Sequence, residues 1–142
     1  VVLAAVQHTG FALKYASGVL KDDKEMVLAA VQKDGHSLQY ASMELCNDKE
    51  VVLAAVQNYG YALDVSNELK NDKEVVLAAV QQDGNALRYA SNRLRNDKQV
   101  VLAAVQHTGY GLAWASEALR NDSQFLLSIK PFLMLPKKRM RK

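Results

Sequence analysis

Apolar runs and polar breaks alternate along this chain with a period of 25 residues, shortened by one in the third copy. The copies are Val1–Glu25, Met26–Glu50, Val51–Glu74, Val75–Gln99 and Val100–Gln124. Each opens on Val-Val-Leu-Ala-Ala-Val-Gln, with Met26 replacing the first valine of the second copy. Each passes through a Gly and a Leu to a Tyr-Ala-Ser-like stretch and closes near Asn-Asp-Lys-Glu. A sixth copy opens at Phe125-Leu126-Leu127-Ser128-Ile129 and is expected to stop at Pro131, which cannot continue a helix. Self-similarity at such a period is the mark of a repeat architecture.

The pattern predicts two helices per copy. In the fourth copy Val76, Leu77 and Val80 make an apolar stripe on the first helix, and Ala78 and Ala79 let a neighbour approach. Burial is therefore expected for Leu53, Val56, Leu77, Val80, Leu102 and Val105. Asn71 reads as the N-cap, Asp72 as the first helical residue and Glu74 as the reciprocal cap at N3. Gly84, like Gly10, Gly35, Gly60 and Gly109, reads as a left-handed C-terminal cap with positive φ. Leu87, Ala90, Ser91 and Leu94 then fall on one face of a second helix over residues 86–95. Lys33, Lys70, Arg95, Arg120 and the single thiol, Cys46, fall on exposed positions.

Helices of about ten residues are marginal alone and must gain stability from stacking on adjacent copies. The expected fold is all-α: an α-solenoid of five tandem 25-residue helix-turn-helix repeats plus a partial sixth, with ten or eleven short helices and no sheet. Residues 1–130 form the array, and 131–142 an apolar capping segment and basic tail. The third copy is one residue short near Asp64-Val65-Ser66. Its leucines, Leu63 and Leu69, stand six apart where Leu38 and Leu45 stand seven apart, a rotation of about 100° on a helix. Either that helix or its flanking turn must adjust.

Composition adds little except through its distribution. The chain is 49% apolar and 23% charged, as folded proteins are. Its net charge of +3 is misleading, because Lys137, Lys138, Arg139, Arg141 and Lys142 supply +5 and leave residues 1–136 at −2. A lone cysteine excludes an intrachain disulfide and suits a reducing, intracellular compartment. The chain opens at Val1 within a repeat, as a piece of a longer repeat protein would.

The recurring string Asn-Asp-Lys-Glu-Val-Val-Leu-Ala-Ala-Val-Gln-x-x-Gly-x-Ala-Leu-x-Tyr-Ala-Ser resembles the helical repeat family catalogued as domain of unknown function 4116. The resemblance covers residues 1 to about 129. It implies a helical repeat without an established activity, so no residue roles carry over.

The residues themselves hold no catalytic constellation. His8 and His107 share a repeat position four copies apart, too far to bind one metal. The glycines occur singly, not as a phosphate loop. Asp34 and Asp83 precede turn glycines, where they form turns or bind cations. No enzymatic activity and no cofactor are expected. Tyr15, Tyr40, Tyr89 and Trp114 form an aromatic column, suited to inter-repeat packing or to stacking on bases. Gln7, Gln32, Gln57, Gln81 and Gln106, and Ser17, Ser42, Ser66, Ser91 and Ser116, are constant and read as hydrogen-bonding ladders or helix-end satisfiers.

The positions that differ between copies mark the candidate partner surface. Before the turn these are His8, Lys33, Asn58, Gln82 and His107; after it, Phe11, His36, Tyr61, Asn85 and Tyr110. A protein partner or larger assembly is the expected ligand of a non-catalytic scaffold. The alternative is nucleic acid, bound by the basic residues Lys137–Lys142 and the aromatic column.

Overall fold

A computed structural model describes residues 1–140, with side chains as far as Leu133. The described residues contain helices and no strand. Each copy has three helical pieces, not two. In the fourth copy they are an α-helix (Lys73–Gln82), a 3-10 helix (Gly84–Tyr89) and one short α-turn (Asn92–Arg95). The expected helix over 86–95 is thus split. Gly84 and Leu87 lie three apart, so they share a face of the 3-10 helix, where i and i+3 eclipse; both are buried. Ala90 and Ser91 are extended, with ψ near 158°, and Ser91 caps the last turn by accepting from the Leu94 N–H at 3.3 Å. Ser17, Ser42, Ser66 and Ser116 cap their own turns alike.

The long helices stack side by side along the array (Lys24–Lys33, Lys49–Asn58, Lys73–Gln82, Lys98–His107). Their buried face is Val51, Val52, Ala55 and Val56 in the third copy, repeated in its neighbours. Val56, Val80 and Val105 are fully buried as expected. Leu53, Leu77 and Leu102 are only partly buried, because they lie on the shoulder of the helix between core and solvent. The fully enclosed leucines are those of the 3-10 pieces, Leu13, Leu38, Leu63 and Leu87, together with Leu94.

The N-cap is Asp, one residue later than the sequence implied. Asp23, Asp48, Asp72 and Asp97 each accept from the N–H three residues on, at 3.0–3.2 Å. The preceding residue is engaged by the next copy. Asp22, Asn47, Asn71 and Asn96 accept the hydroxyls of Ser42, Ser66, Ser91 and Ser116 at 2.5–3.0 Å. The serines therefore serve as both helix caps and an inter-repeat ladder.

A second ladder is ionic. Lys24, Lys49, Lys73 and Lys98 reach the capping aspartates of the following copies, Asp48, Asp72, Asp97 and Asp122. Partial burial pushes the Asp48, Asp72 and Asp97 carboxyls up. The lysine ammonium and the capped N–H groups outweigh it and hold all three below the ordinary range. A depressed carboxylate stabilises the fold above its unfolded pKa, and that gain is lost as pH falls through the folded value. The melting temperature should therefore drop as pH falls below about 4. Asp48→Asn, Asp72→Asn and Asp97→Asn together should flatten that drop, since Asn still caps but carries no charge. Thermal melts monitored by circular dichroism between pH 3 and 7 give the comparison. An unaltered acid limb in the triple variant would show that other groups set it.

The glycines also depart from expectation: none has positive φ. Gly10, Gly35, Gly60 and Gly84 are required by close approach. A Cβ on Gly35 would lie 2.5 Å from the Ala55 carbonyl oxygen, and one on Gly60 2.6 Å from that of Ala79. Gly10 and Gly84 abut Ala30 and Ala104 in the same way.

The short third copy is absorbed at the joint, not in a helix. Its 3-10 piece keeps six residues (Gly60–Val65), and Ser66 follows directly without the intervening alanine found as Ala41 and Ala90. The hydroxyl ladder survives there, but a main-chain rung does not. Ser42, Ser91 and Ser116 donate their N–H to carbonyls of the preceding copy, whereas Ser66 donates to Leu63 within its own.

Cys46 is buried, not exposed, and its thiol donates to the Leu38 carbonyl oxygen at 3.2 Å. Burial raises its pKa. Lysine and arginine fit the same position because long side chains can extend their charge outward. Lys70 and Arg95 are accordingly half-buried, the latter donating to the Trp114 carbonyl oxygen at 2.6 Å, while Lys33 and Arg120 are exposed.

The chain does not break at Pro131. One helix runs over Ser123–Met140. Proline removes the hydrogen bond to the Leu127 carbonyl, but Leu127 and Pro131 lie on the solvent side. On the other side Phe125 and Ile129 are buried, with Phe132 and Leu133 packed beside them against the last full copy. This packing offsets the missing bond and caps the array.

Candidate partner-binding surface

The turn edge divides into two rows with different uses. In the row before the turn, His8 and Lys33 are exposed. Asn58, Gln82 and His107 are exposed as well and also reach back to the preceding copy. The Gly35 N–H donates to Asn58 Oδ1 at 2.8 Å, Gly60 N–H to Gln82 Oε1 at 2.7 Å and Gly84 N–H to His107 Nδ1 at 3.1 Å. These three residues differ in type but share one acceptor role inside the array, while each remains exposed. Lys33 holds the matching place opposite Gly10, and an ammonium cannot accept. Lys33→Asn should supply the missing acceptor and stabilise the first interface by about 1 kcal/mol, a modest rise in melting temperature. A melting temperature at or below that of the wild type would show that the Gly10 amide needs no such partner.

The row after the turn merges with the aromatic column into a ribbon. Phe11 packs edge-on against Tyr15 and against Tyr40 of the next copy, with ring centroids 6.0 and 5.7 Å apart. Tyr61 meets Tyr89 of the next copy in the same way at 5.6 Å. Asn85 accepts from Trp114 Nε1 at 3.3 Å. His36 stacks on Tyr59 at 3.6 Å and is held by Asp34 Oδ1 at its Nδ1, 2.8 Å away. Tyr40, Tyr89 and Trp114 thus make contacts between neighbouring copies, the packing role of the two considered, while Tyr15 meets Phe11 within its own copy. The ribbon is nevertheless accessible: Tyr15 is 76% exposed, Tyr110 58% and Phe11 44%. Asp34 and Asp83 cap the 3-10 pieces by accepting from His36 and Asn85 N–H groups, the turn role of the two considered.

A third surface was not anticipated. The outward face of the long helices carries Leu28, Leu53, Leu77 and Leu102, partly exposed, and beside them Gln32, Gln57, Gln81 and Gln106, exposed. Among the described residues these glutamines form no hydrogen bond with the protein, so they are neither a ladder nor a helix-end device. Their constancy from copy to copy was visible, but constancy alone does not separate an internal use from an external one. An open pocket of about 270 Å³ lies on this face between Gln32, Ala54, Gln57 and Asn58.

The sequence was compared with known proteins. The family described as Domain of unknown function (DUF4116) matches residues 1–42, 23–70, 48–95 and 72–120. The chain belongs to this family. Successive DUF4116 matches begin about one copy apart, and three of them span close to two copies. The family unit thus contains one complete interface of the kind described above. No curated protein and no solved structure matches this DUF4116 chain.

No helix among the described residues is long and apolar enough to cross a membrane. Among them no three His, Cys, Asp or Glu side chains gather as a metal site would require. The side chains of Lys137, Lys138 and Arg139, and the residues Arg141 and Lys142, lie outside the described ones.

Proposed function

We propose that this DUF4116 array is a non-catalytic interaction module that holds a protein partner along its long-helix face and its turn edge. The glutamine row carries this reading. A side chain identical in every copy, exposed and without a hydrogen bond inside the array is available to a ligand outside it. The adjoining leucines give apolar area, and the amides give donors and acceptors at each copy. The scattered histidines, and a Cys46 thiol that is buried and donates to a backbone carbonyl, support the non-catalytic part.

The test combines four substitutions, Gln32→Ala, Gln57→Ala, Gln81→Ala and Gln106→Ala. Alanine favours helix, so the melting temperature should be unchanged or slightly higher. Proteins captured by the wild-type array, identified by mass spectrometry, should be lost with the variant. A partner held equally by both would remove the glutamine row from the reading. Single-stranded RNA is the competing ligand. Residues 1–136 carry net −2, so deletion of residues 137–142 should abolish any weak, salt-sensitive RNA binding in fluorescence anisotropy. Tight binding that persists after the deletion at physiological salt would favour the nucleic-acid reading.

A further inference from the structure

The aromatic ribbon is interrupted once, and the interruption has its own chemistry. The column residue of the third copy is Val65, where Tyr15, Tyr40, Tyr89 and Trp114 stand in the others. Around the missing ring the array forms an open pocket of about 200 Å³, walled by His36, Tyr59, Tyr61, Val65 and Tyr89, with Asp64 also among its lining residues.

The residue before the column is also altered here. In the first copy it is Lys14, whose Nζ lies 5.3 Å from the centroid of Phe11 and 5.7 Å from that of Tyr15. In the fourth it is Arg88, whose guanidinium carbon lies 5.1 Å from the Tyr89 ring and 4.9 Å from the Trp114 ring. Those copies therefore place their own cation over the ribbon. In the second and third copies the equivalent residues are Gln39 and Asp64, so here that position supplies no cation and in the third copy supplies a carboxylate; the nearest cations are Arg88, over the far wall Tyr89, and Lys70, beside Asp64. Asp64 is exposed, and its contact with Lys70 Nζ at 3.3 Å is a surface pair that an incoming cation can replace at little cost.

We infer that the gap at Val65 is a docking slot for an arginine side chain of a partner protein. The inference rests on the interaction-module reading and names the chemistry of one anchor. A guanidinium is planar and stacks on aromatic faces while its N–H groups bond a carboxylate; a lysine ammonium does only the second in full. The slot supplies aromatic walls and one carboxylate among its lining residues.

The probe is the blocked tripeptide Gly-Arg-Gly, titrated into the whole chain while the ring resonances of Tyr61 and Tyr89 are followed by NMR. Saturable shifts are expected. The citrulline tripeptide, uncharged but of similar shape, should bind at least about fivefold more weakly. Asp64→Asn, at an exposed site, should weaken the arginine peptide without lowering the melting temperature. Val65→Tyr should restore the column and abolish the shifts in a folded array. Equal binding of the citrulline peptide, or shifts that survive Val65→Tyr, would overturn the assignment. So would oligouridine that moves the same resonances equally in wild type and Asp64→Asn, which points to base stacking. A protein partner whose affinity ignores Val65→Tyr would remove the slot and leave the module reading standing.

Discussion

Gly35→Ala should destabilise the array by about 3 kcal/mol, near the upper end of the usual overpacking cost. The added methyl would lie 2.5 Å from the Ala55 carbonyl oxygen, 2.7 Å from Tyr59 Cβ and 3.0 Å from the Tyr59 nitrogen. All three atoms are main chain or Cβ of the neighbouring copy, so no side-chain rotation relieves the clash. Relief requires the two copies to separate, which would also stretch the 2.8 Å bond from the Gly35 N–H to Asn58. Substitution by Asn discriminates the mechanism. At a left-handed position Asn is tolerated better than Ala; here it is bulkier and should be worse. Gly18 is the internal control, since nothing lies within 4 Å of a Cβ there and Ala should be neutral or stabilising by about 0.5–1 kcal/mol. Urea melts of the three variants decide the matter. A Gly35→Ala array that unfolds with the wild type would show that the copies are not so tightly apposed.

Leu87→Ala should cost about 3–5 kcal/mol, whereas Leu77→Ala should cost only about 1 kcal/mol. Both leucines belong to the repeat signature, and their sequence context does not rank them. Leu87 is fully enclosed on the 3-10 piece, between its own long helix and the next. Its truncation leaves a cavity bounded by rigid helices. Leu77 lies on the outward shoulder, where neighbouring side chains and solvent fill the space. Equal losses in paired chemical melts would mean that the leucine row is buried as deeply as the core.

The fold was legible because its signals recur. The copies, their register and the all-helical class follow from strings repeated five times. What escaped was local and physical. Gly84, Leu87 and Ala90 fit both a period of three and a period of 3.6 over so short a segment, so the 3-10 piece read as α. The glycines read as turn formers because a sequence does not display the carbonyl of the next copy. Asn71 and Asp72 are both good caps, and their division of labour depends on Ser91 arriving from 20 residues away. The candidate surface was legible in part. Phe11, His36, Tyr61, Asn85 and Tyr110 lie on an accessible ribbon. Asn58, Gln82 and His107 proved to be acceptors of interface N–H groups, and the glutamines proved to be outside the core. Variation between copies did not reveal this role, because three different side chains satisfy the same amide.

The ladders also determine how such a chain folds in time. Among the described hydrogen bonds the longest reach is 29 residues, from Trp114 to Asn85, and the other rungs span 19 to 23. Every tie therefore closes a loop of about one copy, whose entropy cost is the same at either end and does not grow with the number of copies. Folding can start at any adjacent pair and spread in both directions, one interface at a time. A longer array of this kind would be harder to unfold without being slower to nucleate.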